Sequence, residues 1–135
     1  MLIDTSILIP IFRDKSGQRR DRFRKFLRGK SFYLPRLTQL EILQGCKTPE
    51  QWETLSDYLE VQDYVEMTPD TWAAAARIYF DLGRKGKTVR SIHDCCIAQL
   101  ALESRMHLVH NDNDFEVIEM VRRIKLHRFD SQAKG

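Results

Sequence analysis

Residues 108–118, LVHNDNDFEVI, predict a buried strand that is followed directly by a helix. The apolar strand ends at His110, and Asn111, Asp112, Asn113 and Asp114 separate it from the next apolar residue, Phe115. A turn at this position needs only small polar residues such as Asn, Gly or Ser. The two carboxylates at the end of the strand therefore indicate that this turn contributes to a larger acidic site.

Predicted strands and helices alternate along the chain. Short apolar runs predict strands at residues 1–3, 31–35, 64–67, 107–110 and 125–129. Helices are expected between them. A short first helix is capped by Ser6 and runs to Phe12, and the last helix covers residues 115–124. Residues 92–104 are apolar almost all round, which predicts a buried helix.

This order predicts an α/β fold with a mainly parallel central sheet flanked by helices. A length of 135 residues suits one domain, so we expect a single domain over residues 1–135 with a frayed end at residues 131–135. The chain is 42% apolar and 30% charged, as globular proteins are. No apolar run reaches the roughly 20 residues that a membrane span needs. Three cysteines, two of them adjacent, do not suggest a disulfide framework, so we expect a cytoplasmic protein.

One segment of the chain is strongly basic. Residues 13–30 contain nine Lys or Arg and two Asp, a local charge of +7 in a chain of net charge +3. Arg20, Arg24 and Arg28 are spaced by four, which predicts one row on a helix. Such a row suits the phosphates of a polyanion, although an ordinary solvated helix face is the alternative.

Five carboxylates fall where strands end or on apolar parts of helices: Asp4, Glu41, Asp94, Asp112 and Asp114. Ligands of open parallel sheets gather at the carboxyl ends of the strands, so these acids are expected to converge at one edge. Each also has an ordinary alternative role as a helix cap, a first-turn acid, a solvated residue or a turn former.

A cluster of carboxylates needs cations, because like charges raise one another's pKa. Oxygen ligands without His or Cys favour Mg²⁺ or Mn²⁺. The four His and three Cys show no zinc-binding spacing, and GRKGK at residues 83–87 lacks the Walker pattern. A metal site beside a basic segment indicates hydrolysis of phosphodiester bonds by a metal-activated water.

Four blocks carry a resemblance to a known family. MLIDTSILI, LTQLEILQG, GKTVRSIHDCCIAQLAL and LVHNDNDFEVI occur in that order over nearly the whole chain. Together they resemble the PIN-domain ribonucleases of the VapC toxin type. The resemblance implies an endoribonuclease that binds Mg²⁺ or Mn²⁺ and cleaves RNA. It also implies a homodimer and a small antitoxin, similar to VapB, that holds the toxin inactive.

The same resemblance assigns roles to residues. It implies that the metal is bound by Asp4, Glu41, Asp94, Asp112 and Asp114. Thr5 or Ser6 is expected to support the site, and Asn111 to hydrogen-bond within its own turn. We favour Asp112 as a direct ligand and Asp114 as a second ligand or a residue that holds water. The row of Arg20, Arg24 and Arg28 is then expected to contact RNA.

Three other functions are weighed against this one. A housekeeping PIN nuclease of RNA maturation usually has extra domains, for which 135 residues leave no room. A PIN domain that only binds RNA is disfavoured by the complete set of acids. A receiver-like signalling module needs paired acids at its first strand, and IDTS at residues 3–6 has one. Transfer, ribosomal and messenger RNA all remain candidate targets.

Overall fold

A computed structural model describes residues 1–132, and within them the chain forms five short strands and seven helices. The strands are β1 (Leu2–Ile3), β2 (Leu34–Pro35), β3 (Tyr64–Val65), β4 (Leu108–His110) and β5 (Leu126–Arg128). The helices are α1 (Thr5–Arg13), α2 (Gln18–Leu27), α3 (Arg36–Gln44), α4 (Pro49–Glu60), α5 (Pro69–Arg84), α6 (Ile92–Ser104) and α7 (Asn113–Ile118). No helix in residues 1–132 combines the length and apolar character needed to cross a membrane.

Every strand pair is parallel. β4 lies between β1 and β5, β2 pairs with β3, and a bridge between Leu2 and Tyr33 connects the two groups. The predicted α/β fold with a parallel sheet is confirmed. Because the strands run in one direction, their carboxyl ends lie at one edge, where β1 leads into Asp4 and β4 into Asn111.

Alternation along the strands divides the apolar residues between two cores. Leu2 and Leu108 pack into the core on the α5–α6–α7 side, whereas Ile3 and Val109 pack into the core on the α1–α2 side. Successive strand residues point to opposite faces, so strands of two or three residues fill both cores.

Helix α6 is buried, as its apolar sequence predicts. Seven of its residues between Asp94 and Ala101 are buried. Ser91 caps the helix by accepting a hydrogen bond from the backbone N–H of His93 at 3.2 Å. The cap and the burial together fix the first turn of α6, and therefore the position of Asp94.

Two helix boundaries differ from the prediction. Asp4, rather than Ser6, caps α1, because its carboxylate accepts from the Ser6 N–H at 3.0 Å and the helix begins immediately after β1. Helix α7 ends at Ile118 instead of continuing to residue 124. The chain turns after Ile118, which lets Ile124 enter the core and places β5 beside β4.

The end of the described chain is held in place. Ser131 is buried, its hydroxyl accepts from Arg19 at 3.2 Å, and its carbonyl accepts from Arg22 at 2.8 Å. Of the five residues expected to fray, residues 133–135 lie outside the described residues.

Candidate metal centre

Asp4 is placed at the sheet edge by strand pairing. Its backbone N–H donates to the Val109 carbonyl at 2.9 Å, so the β1–β4 pairing extends to this residue. Burial raises the pKa of the Asp4 carboxyl from 3.8 to about 6; the Ser6 hydrogen bonds lower it, and the Glu41 charge adds to the rise. Asp4 is therefore a buried acid whose charged form is costly without a cation.

Glu41 reaches the same edge from α3. The Thr5 hydroxyl donates to Glu41 Oε1 at 3.1 Å and lies 3.1 Å from the buried hydroxyl of Thr38. Burial raises the pKa of Glu41, and the Thr5 hydrogen bond lowers it. Thr5 therefore orients this carboxylate, and the supporting role that the resemblance implies for Thr5 or Ser6 stays a prediction.

Asp94 is the most strongly perturbed acid of the group. Burial first, and then the charges of the other four acids, raise the pKa of Asp94 from 3.8 to about 8. Those charges belong to Asp4, Asp112, Asp114 and Glu41. All five predicted acids thus act on one region of space.

The turn after β4 brings in the remaining two acids. Asp112 caps α7 by accepting from the Asp114 N–H at 2.9 Å. The Ser6 hydroxyl accepts from the Asn111 N–H at 2.9 Å, which ties the turn to α1. The Asn111 side chain accepts from Arg128 Nη1 of β5 at 2.9 Å, so the expected hydrogen bond within its own turn is replaced by one to a neighbouring strand.

Three of the acids form a tight cluster. Carboxylate oxygens of Asp94, Asp112 and Asp114 lie within 4.8 Å of one another. Asp4 and Glu41 flank this group through their charges without belonging to it. The sequence predicts the five acids but not this division into three and two, because the division depends on side-chain positions in the folded chain.

A cation of the chain itself already pairs with two acids of the cluster. Arg90 donates from Nη2 to Asp112 Oδ1 at 2.9 Å, and from its backbone N–H and Nε to Asp114 Oδ2 at 3.0 and 3.3 Å. The Arg90 side chain is 79% exposed, so it covers the acids from the solvent side. The carboxylate oxygens of the cluster can therefore hold a positive charge, and an all-oxygen donor set of this kind could also hold a metal ion. The sequence does not predict this role of Arg90, because only the fold brings it from the α5–α6 loop to the turn after β4.

His110 is a second residue that sequence analysis missed. It is fully buried, and its Nδ1 accepts from the Asp112 N–H at 3.1 Å. Its Nε2 has no hydrogen-bond partner in residues 1–132, and burial lowers the pKa of the imidazole. The neutral ring therefore holds the backbone of the acidic turn from its buried side, through the hydrogen bond to Asp112. The sequence does contain one indication of this role, because a His is the last residue of the apolar strand β4.

The predicted arginine row is interrupted. Arg20 and Arg24 are exposed on α2, but the helix ends at Leu27. Arg28 adopts a left-handed conformation with φ 51°, and Gly29 follows with φ 76°. Arg20 and Arg24 therefore lie within the helix, whereas Arg28 lies in the turn that ends it.

Sequence relatives cover almost the whole chain. Residues 1–120 match the family model described as PIN domain. VapC ribonuclease Mb1587 from Mycobacterium bovis is 32% identical over 137 residues, covering 96% of this chain and 98% of the relative. Ribonuclease VapC11 from Mycobacterium tuberculosis gives the same values.

Solved structures show the same fold. VapBC2 from Rickettsia felis, bound to a promoter DNA fragment, aligns with a TM-score of 0.75 at 17% identity, covering 96% of this chain and 98% of that one. DNA-bound VapBC from Salmonella typhimurium aligns with a TM-score of 0.73 at 21% identity, with coverage of 94% and 96%.

Replacing Asp94 by Asn should stabilise the metal-free protein. The folded state binds the Asp94 proton more tightly than the unfolded state, so the free energy of unfolding falls as the pH rises from 3.8 to about 8. Asp94→Asn removes this loss and leaves the smaller contribution of Asp4. Urea unfolding in EDTA should show a gain of about 1 kcal/mol at about pH 8 and little gain at about pH 5.

Asp70→Asn is the matched control, because Asp70 is an exposed first-turn acid of α5 outside the cluster. It should lose about 0.3–1 kcal/mol of helix-dipole stabilisation. If Asp94→Asn loses stability in the same way, Asp94 is an ordinary first-turn acid.

Proposed function

Because the chain belongs to the PIN-domain family, we propose that it is a metal-dependent endoribonuclease, the toxin of a toxin–antitoxin pair. The observation that carries this proposal is the convergence of five acids at the carboxyl edge of the sheet, with Asp94, Asp112 and Asp114 within 4.8 Å. The full-length similarity to two proteins named as VapC ribonucleases supports RNA as the substrate.

The residues would divide the work at the site. Asp94, Asp112 and Asp114 would hold Mg²⁺ or Mn²⁺, with Asp4 and Glu41 completing the negative charge around it. When bound, the metal supplies a water of lowered pKa and a positive charge for the phosphate. Thr5 orients Glu41, and Ser6 fixes the turn that carries Asp112.

Protons must leave when a cation enters. The pKa of Asp94 is raised to about 8 and that of Asp4 to about 6, so the metal-free site retains the Asp94 proton near neutral pH and the Asp4 proton only in mild acid. Carboxylates bind metal in their deprotonated form, so metal affinity is expected to rise with pH. While no cation is bound, the retained proton neutralises one carboxylate and so reduces the repulsion between the acids.

An antitoxin partner is supported by a groove beside the acids. A cavity of about 830 Å³ between α1, α3 and α4 is lined by Ile9, Phe12 and Leu55 and reaches Glu41. An antitoxin would pack apolar residues into this groove and place an Arg or Lys among the acids. Arg90 supports this arrangement, since a guanidinium of the chain itself already pairs with two of them.

A homodimer is supported by one face of α5. Trp72, Tyr79 and Phe80 are 59%, 44% and 53% exposed, and Trp72 lies about two turns before the other two on this helix. Exposed apolar patches of this kind mark association surfaces.

Asp94→Asn should abolish cleavage of RNA in the presence of Mg²⁺. Added Mg²⁺ should raise the melting temperature of the wild type, because a ligand that binds only the folded state stabilises it, and should raise that of the variant much less. Thermal melts with EDTA and with Mg²⁺, together with sequencing of RNA ends after brief induction, measure both effects. Asp70→Asn should cut RNA and gain melting temperature with Mg²⁺ as the wild type does, and an Asp94→Asn protein that still cuts RNA would refute the assignment.

Removal of Arg90 should tighten the binding of Mg²⁺. Arg90→Gln eliminates an internal cation that competes for Asp112 and Asp114, and exposed pairs of this type account for about a two- to fivefold change in affinity. Calorimetric titration with Mg²⁺ gives the dissociation constant. Lys87→Gln removes the same charge from the same loop and should have little effect. Weaker binding by Arg90→Gln would mean that Arg90 keeps its carboxylates oriented while the metal is bound.

Mg²⁺ should also weaken the complex with the antitoxin. If the antitoxin places a cationic side chain among Asp4, Glu41 and Asp94, the metal and the antitoxin compete for one site. The dissociation constant of the complex, measured over a range of Mg²⁺ at constant ionic strength, should increase with Mg²⁺. An affinity indifferent to Mg²⁺ would place the antitoxin on another surface.

A further inference from the structure

The fold divides the basic segment between two surfaces. Arg20 and Arg24 face solvent from α2, whereas other cations of the segment line a cavity of about 1040 Å³ beside β5, here called the β5 cavity. The basic residues that line it are Arg22, Lys25, Arg28, Lys30, His107 and His127. A single acid, Asp130, lies among the lining residues.

Three of these cations are available to a ligand. No carboxylate in residues 1–132 forms a salt bridge with Lys25, Arg28 or Lys30. Arg22 is different, because it donates to the Ser131 carbonyl at 2.8 Å. An anion in the cavity would therefore meet positive charge that the protein itself does not neutralise.

Aromatic rings form one wall of the β5 cavity. The Phe26 ring is stacked on Phe129 with centroids 4.5 Å apart, and its centroid is 5.1 Å from that of His127. His127 is exposed on β5, which is an edge strand of the sheet. A positively charged groove next to aromatic rings is the combination that binds single-stranded nucleic acid, since the groove follows the phosphates and the bases stack on the rings.

The β5 cavity shares no lining residue with the acidic centre, and it extends from the amino ends of β1 and β4 along β5 to Phe129 and Asp130. Met1 and His107 line the cavity at the amino ends of β1 and β4, and Asp4 and Asp112 follow their carboxyl ends. The distance along β1 is roughly 10 Å, at about 3.3 Å per residue. β5 connects the two regions, because Arg128 next to His127 donates to the side chains of Asn111 and Asn113.

We propose that the β5 cavity binds a segment of single-stranded RNA outside the acidic centre. Phosphates contact Lys25, Arg28 and Lys30, and a base stacks on His127. This subsite depends on the proposed ribonuclease function for the choice of RNA, but it needs neither metal nor cleavage. It replaces the row of Arg20, Arg24 and Arg28 as the main phosphate-binding surface of the basic segment.

Two double variants test the phosphate contacts. Lys25→Gln with Arg28→Gln removes two lining charges, and Arg20→Gln with Arg24→Gln removes two non-lining charges from the same helix. Binding of a fluorescein-labelled oligouridylate of about 16 nucleotides is measured in EDTA over a range of salt. The log–log salt slope should fall by roughly 1.4 for the lining pair, about 0.7 per phosphate, and should stay unchanged for the other pair.

His127 variants test the stacking contact. His127→Ala should weaken binding of the same oligomer by about fivefold or more, whereas His127→Phe, which retains a ring, should keep most of the affinity. An oligomer containing 2-aminopurine should lose fluorescence on binding to the wild type and much less on binding to His127→Ala.

Several results would overturn the proposal: an absence of RNA binding by the wild type in EDTA, equal slopes for the two double variants, or a loss of slope confined to the Arg20 and Arg24 pair. Full displacement of the oligomer by an equal concentration of UMP would also overturn it, in favour of a small-nucleotide site. Cleavage with Mg²⁺ is scored separately. RNA binding without cleavage would contradict the proposed ribonuclease, and cleavage with unchanged binding by the lining variants would contradict only the subsite.

Discussion

Carboxylates repel one another at one edge of a very short sheet, and the surrounding helices and charges are arranged so that this repulsion is reduced. Three helix N-termini point at this edge: Asp4 caps α1, Asp112 caps α7, and Asp94 lies in the first turn of α6. The positive end of each helix dipole favours a negative charge there. Arg90 adds a full positive charge, and the raised pKa of Asp94 allows the remaining repulsion to be relieved by a proton.

Burial of apolar residues in the two cores offsets the destabilising repulsion between these acids. Residues of β1 and β4 alternate between them, and α6 continues from Asp94 directly into buried positions such as Ile97 and Leu100. Asp94 cannot move away from the other acids unless α6 leaves the core, and burial of its apolar residues opposes that. The acids are therefore held close together although their repulsion is destabilising, because the packing of the two cores fixes their positions. Unfavourable local arrangements of this kind are typical of functional sites.

The sequence predicts those features that depend on local signals. Strand ends, helix periodicity and the positions of the acids along the chain indicate the parallel α/β sheet and the edge at which the acids meet. The roles of Arg90 and His110 are not predicted from the sequence, because they depend on contacts with Asp112 that form only in the folded chain. The short α7 and the left-handed Arg28 are set by where the chain must turn to place β5 and β2, which periodicity within a helix does not reveal.

Asp4 and Asp112 are helix caps as well as acids of the centre, so substitutions at these two positions can remove activity without destabilising the fold. Asn caps a helix about as well as Asp, whereas Ala does not. A descendant of this chain that exchanged these two acids for Asn would lose two of the five carboxylates of the centre and keep both helices capped. It would also keep the β5 cavity. Decay of the enzyme would then produce a well-folded RNA-binding protein rather than an unstable remnant, so catalysis can disappear from such a lineage without leaving a trace in its architecture.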